Sequence, residues 1–190
     1  MRPIFASLFI FCMLLLSGCG SLLANMQMGT IADKPNERTT AQMLVDENIE
    51  IKATVNIHAE NEAYHDSHLV VVSYNGYLLL AGQVNDQVLK NEATKIVRKI
   101  QGVRRIYNEL EIGPPSSAIT RTSDAWITSK IKAAMLVSSD EQGTRIKIVT
   151  ENGVVYLMGL VAQDEAEIIS DKAASVSGVK RVVRLFEPVD

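Results

Sequence analysis

The chain is poor in the residues that staple or catalyse: its 190 residues include two cysteines, three histidines and one tryptophan, and only 5% are aromatic. Cys12 lies inside an N-terminal apolar run and Cys19 follows it. Removal of that run leaves no partner for an intrachain disulfide, so stability must come from burial. No basic tract is present, and 19 Lys+Arg face 22 Asp+Glu for a net charge of −3. Nucleic acid is therefore not an expected partner. The sequence also lacks a nucleophile elbow, a Ser/His/Asp pattern, a paired-carboxylate cleft and a phosphate-cradling glycine loop. Hydrolysis is not supported, and no enzymatic activity is expected. His65-Asp66-Ser67-His68, with Glu62 and His58 upstream, offers metal-type donors in a loop without cysteine. Such a His-x-x-His is weak evidence for zinc, so a solvated loop is expected, with no metal and no cofactor.

Long apolar runs are missing too. Ile4 to Leu16 is shorter than the roughly 20 residues that a bilayer core requires of a helix. Arg2 precedes this run and Leu16-Ser17-Gly18-Cys19 ends it, the pattern of a secretory signal with a lipobox. Residues 1–18 are expected to be cleaved and Cys19 to carry the acyl chains, a durable anchor at about 0.8 kcal/mol per buried methylene. Gly20 stands where an aspartate retains many bacterial lipoproteins at the inner membrane, which favours outer-membrane sorting. Residues 19–38 then form the acylated cysteine and a tether of roughly 24 Å mean span. Its Leu22, Leu23, Met26 and Met28 make it less polar than most linkers.

What remains repeats itself. Asn75-Gly76-Tyr77-Leu78-Leu79-Leu80-Ala81-Gly82-Gln83-Val84 matches Asn152-Gly153-Val154-Val155-Tyr156-Leu157-Met158-Gly159-Leu160-Val161. Asn-Gly favours a type I′ hairpin turn, so both blocks predict hairpins. Gly82 and Gly159, late in the outgoing strands, predict a bulge or a close backbone approach. A helix and a further strand follow each hairpin, over Val88–Ile100 and Val103–Asn108 and then Glu165–Val176 and Val179–Arg184. Gly102 and Gly178 fit the left-handed position that ends a helix. Ile49 to Ile57 alternates and alone reads as a strand, but it aligns with the amphipathic Asp124–Val137, and the repeat argues for helix. The expected fold class is α+β: two tandem αββαβ units, each a small mixed three-stranded sheet with two helices on one face. The units are expected at residues 39–112 and 122–190. Residues 113–121 form a short linker, stiffened by Pro114 and Pro115, that favours packing of the units against each other.

The helix at Asp124–Val137 has two apolar sides. At 100° per residue, Ile127, Ile131 and Ala134 form the core stripe, while Trp126, Ala133, Leu136 and Val137 face elsewhere, flanked by Lys130 and Lys132. The second face suits either a membrane surface or a neighbouring domain. The equivalents of Ala125, Trp126, Lys132, Ala133 and Leu136 in the first unit are Glu47, Asn48, Thr54, Val55 and His58, a more polar and partly acidic set. A shared fold does not require that difference. An anionic lipid surface does fit it, since tryptophan suits the interface and each nearby cation contributes about 1 kcal/mol. Ser129 lies on the same helix face.

The lipobox, the two αββαβ units, the Asn-Gly hairpins, the glycine late in each outgoing strand and the Gly-Val opening of each last strand resemble the dual BON-domain lipoproteins of the bacterial outer membrane. The likeness is strongest in Asp124-Ala125-Trp126-Ile127-Thr128, Leu157-Met158-Gly159-Leu160-Val161 and Val176-Ser177-Gly178-Val179-Lys180-Arg181-Val182. It implies a non-enzymatic, lipid-anchored protein on the periplasmic side of the outer membrane. Such a protein would bind anionic phospholipid, phosphatidylglycerol or cardiolipin, through its second BON domain, support envelope integrity and gather at the division site. It also implies that Gly159 and Ser177 join Trp126, Ser129, Lys130, Lys132, Ala133, Leu136 and Val137 around the headgroup. The alternative partner for this face is an envelope protein such as the β-barrel assembly machinery.

Overall fold

Each repeat in the computed structural model starts with a helix whose inner stripe is set by sequence spacing; residues 38–136 and 145–189 are described. Helix α1 runs Thr40–Glu60, and the Thr39 side chain caps it by accepting the Gln42 N–H at 3.1 Å. Asp46, Ile49, Ala53 and Ile57 are its buried residues, at the three- and four-residue steps of a helix face. The alternation that mimics a strand arises because Ile51 and Val55, between those positions, are left in solvent. Helix α3, Ala118–Leu136, buries Asp124, Ile127, Ile131 and Met135 in the same way, and Ala134 is half-buried. It begins inside the stretch expected as linker, because the Ser117 hydroxyl accepts the Thr120 N–H at 3.1 Å and supplies a cap.

Between these helices lie β1 (His68–Tyr74), β2 (Tyr77–Val84), α2 (Gln87–Val97), β3 (Arg105–Asn108) and β4 (Glu111–Ile112). After α3 come β5 (Lys147–Glu151), β6 (Val154–Val161), α4 (Gln163–Ala174) and β7 (Arg181–Pro188). Both Asn-Gly pairs are left-handed, with φ of 51° and 75° in the first turn and 51° and 78° in the second, as a type I′ turn requires. In each sheet the hairpin is antiparallel and the last strand adds parallel to its second strand, β3 to β2 and β7 to β6. The first sheet departs from three strands. Its last strand is interrupted so that Leu110 enters the core, and the chain rejoins β2 as β4. A further element absent from the sequence expectation is a 3₁₀ turn, Glu62–Asp66, opened by the Asn61 side chain and seated by buried Tyr64, whose hydroxyl donates to the Leu89 carbonyl at 2.7 Å.

The central strands β2 and β6 are covered on both sides, which explains why they read as nearly continuous apolar runs. Leu78, Leu80 and Val84 face α1 and α2, while Val155, Leu157 and Val161 belong to the core under α3 and α4. The alternate residues Leu79 and Ala81, with Val72 and Tyr74, pack against Val154, Tyr156, Met158 and Leu185 in a third core. The two units therefore lie sheet against sheet, with their helices outermost. Polar contacts rim this junction: Arg104 grips Glu187 at 2.6 and 2.9 Å, the Tyr74 hydroxyl donates to the Arg145 carbonyl at 2.6 Å, and Gln83 donates to Glu151 at 3.2 Å.

Candidate functional site

The site is built from the second turn of each leading helix. The Asp124 carboxylate accepts the backbone N–H groups of Asn152 at 2.9 Å and Gly153 at 2.8 Å, which ties the α3 helix to the β5–β6 turn. Asp46 does the same with Asn75 and Gly76, both at 2.8 Å, and also accepts from Ser73 and Arg38. Burial alone would push the Asp46 carboxyl up. The Gly76 N–H, the Arg38 guanidinium, the Asn75 N–H and the Ser73 hydroxyl outweigh burial and hold it below its usual value of 3.8. Local sequence does not reveal this task, because the partners of each aspartate lie 28 to 30 residues away.

With Asp124 fixing its rotation, α3 turns Ile127 and Ile131 inward and Trp126 outward. Trp126 is 66% exposed and Leu136 64% exposed, and Ser129, Lys132 and Ala133 lie in solvent beside them. Packing of Trp126 into the junction between the units is thereby excluded, since the two sheets fill that junction themselves. Lys130 is half-buried and donates to the backbone carbonyl of Ser177, so Ser177 stands beside the lysine flank of the face through its main chain. Ser129 spends its hydroxyl on the Ala125 carbonyl at 2.9 Å. Val137 and Cys19 lie outside the described residues.

Gly159 is not brought to this face. It is buried in β6, and the atoms nearest to a side chain added there are Val161 Cγ2 at 3.2 Å, the Arg145 carbonyl at 3.4 Å and Ile146 Cγ1 at 3.4 Å. Close approach within the hairpin accounts for the glycine. The contrast between the two units is also narrower than the aligned residues indicate. Leu44, Ile51 and Val55 are exposed on α1, so the outer side of that helix has an apolar stripe of its own. What belongs to the second unit alone is the aromatic ring at 126 in place of Asn48, the cation at 132 in place of Thr54 and the leucine at 136 in place of His58.

The histidines are separately employed. The His58 and His65 rings lie 5.5 Å apart, and His68 Nε2 sits 3.3 Å from Glu151 Oε2 across the junction. Among the described residues no three His, Cys, Asp or Glu side chains gather as metal ligands, and no helix is long and apolar enough to cross a membrane.

Two BON domain matches cover residues 45–114 and 123–187. The chain belongs to the BON-domain family. It is similar to outer membrane lipoprotein DolP of Haemophilus influenzae, with 34% identity over 92% of this chain and 91% of that protein. It is also similar to a 21 kDa hemolysin of Actinobacillus pleuropneumoniae, 30% identical over 80% of this chain and 78% of that one. Osmotically-inducible protein Y of Escherichia coli is 30% identical over 54% of this chain and 53% of its own length. With its lipobox and two BON domains, the chain is a dual BON-domain outer-membrane lipoprotein. The family is non-enzymatic.

Proposed function

We propose that this BON lipoprotein faces the periplasm and binds anionic phospholipid, phosphatidylglycerol or cardiolipin, through the outward face of α3, thereby supporting outer-membrane integrity, including at the division site. The observation that carries the reading is Trp126, a large aromatic left 66% exposed on a helix whose core stripe is already satisfied. Trp126 and Leu136 together offer about 200 Å² of apolar surface, worth at most ~5 kcal/mol at ~25 cal/mol/Å². Lys130 and Lys132 flank this surface, and each contributes about 1 kcal/mol against an anionic leaflet. Contact of that strength is reversible. An acyl anchor at Cys19 makes it effective by holding the domain near the membrane.

The test is vesicle binding by the mature, unacylated chain. Wild type is expected to bind phosphatidylglycerol vesicles in preference to phosphatidylcholine vesicles. Trp126→Glu should weaken that binding by roughly 30-fold, the equivalent of about 2 kcal/mol, while the melting temperature stays close to wild type, as for most exposed substitutions. Undiminished binding would sink the proposal. Photocrosslinking from position 126 in cells supplies the competing outcome: a discrete protein adduct, rather than lipid, would identify an adaptor that docks on an envelope protein such as the β-barrel assembly machinery.

A further inference from the structure

Beside the junction of the two domains lies an open cleft of about 430 Å³, within the roughly 300–1,000 Å³ of small-ligand sites. Its charged lining is of one sign. Arg38 comes from the residues before α1, Lys132 from α3, and Arg145 and Lys147 from the approach to β5 and its first residue, while among the described residues no acidic side chain lines it. A chain of net charge −3 does not place four cations around one cavity by composition alone. We propose that this cleft is a binding site for a phosphate group, supplied either by a lipid headgroup or by a soluble phosphate compound.

The pairing of the cations supports this assignment. Asp46 accepts Arg38 at 2.7 Å, Glu50 accepts Lys147 at 3.0 Å, and Glu165 stands 3.7 Å from Arg145, so each acid steadies a cation without itself lining the cleft. Asp46 is further committed to the Asn75-Gly76 turn. Arg38 lies over the Tyr74 ring, its guanidinium carbon 3.8 Å from the centroid, and the same tyrosine donates to the Arg145 carbonyl. Both arginines are thus held in place, Arg38 with Nη1 on Asp46 and Arg145 with Nη2 toward Glu165. A guanidinium carries five N–H donors, and a tetrahedral phosphate offers several strong acceptors to planar forks converging from different segments. Lys132 makes no ion pair among the described residues, which leaves its charge available.

The site does not depend on the Trp126 face, although Lys132 borders both. The experiment keeps them apart. Nitrogen-15-labelled mature, unacylated chain is titrated with inorganic phosphate, and with chloride at matched ionic strength. Saturable amide shifts are expected at Arg38, Lys132, Arg145, Ile146 and Lys147 with phosphate only. Lys132→Gln, which removes no described ion pair, should weaken phosphate affinity several-fold, and Arg145→Gln by roughly tenfold. Trp126→Glu should leave the phosphate shifts intact while it weakens vesicle binding. Competition between free phosphate and phosphatidylglycerol vesicles at the cleft amides would assign the site to a headgroup, and phosphate binding that vesicles do not displace would assign it to a soluble compound. Absence of saturable shifts, identical shifts in chloride, or affinity unchanged in both Lys132→Gln and Arg145→Gln would overturn the proposal.

Discussion

Replacing Asp124 by alanine should do more damage than its place in the second turn of α3 suggests. The carboxylate is buried and accepts two N–H groups of the second hairpin turn, at 2.9 and 2.8 Å. Alanine leaves both donors facing a space that no described side chain fills. Each buried donor stranded in this way costs about 1–3 kcal/mol, so a loss near 3–4 kcal/mol is expected, a large part of the ~5–15 kcal/mol that a domain possesses. Asp46→Ala should cost more, because that carboxylate also serves Ser73 at 2.9 Å and Arg38 at 2.7 Å. Urea unfolding followed by circular dichroism measures both. The ordering matters as much as the size, and the two repeats act as controls for each other. Losses below about 0.5 kcal/mol, the range of ordinary surface substitutions, would refute the idea that these aspartates lock helix to turn. Equal losses at the two positions would refute the added role of Ser73 and Arg38.

The remaining predictions concern glycine and pH. Gly82→Ala should cost more than about 3 kcal/mol in urea midpoint analysis, because φ is +103° and the new Cβ would meet the His68 carbonyl oxygen at 2.0 Å. Gly159→Ala, with ordinary backbone angles and a nearest contact of 3.2 Å, should cost about 1 kcal/mol or less. For Asp46, a folded-state pKa below the unfolded 3.8 means that its stabilising contribution is full above that value and disappears as pH falls through the lowered one. Acid unfolding should therefore steepen below about pH 4, and Asp46→Asn should flatten it. Burial pushes the Tyr156 phenol up to about 12 from 10.0. Its neutral form belongs to the fold, so stability should decline as pH rises from 10 toward 12, a loss that Tyr156→Phe would remove.

The sequence by itself determined the fold class and the punctuation. Asn75-Gly76 and Asn152-Gly153 can hardly be anything but tight hairpin turns, and Gly102 and Gly178 adopt the left-handed φ expected of them, 95° and 102°, because those constraints are local. It also determined, through repetition, that Ile49–Ile57 is helix against its own alternation. That inference needed a second copy, since a helix leaving Ile51 and Val55 in solvent imitates a strand. Spacing alone separated Ile127 and Ile131 from Trp126 on α3.

Tertiary structure decided the rest. Whether Trp126 met a neighbouring domain depended on what filled the junction between the units, and the two sheets fill it with Val72, Tyr74, Leu79, Val154, Tyr156 and Leu185. Periodicity predicts that a strand has two faces, but not what covers the second. Gly159 left the candidate site for the same reason, because only the packing of β5 against β6 shows what surrounds it. The gathering of Arg38, Lys132, Arg145 and Lys147 around one cleft joins three segments spread over more than a hundred residues. No sequence period records such a meeting, which exists only once the two domains are packed.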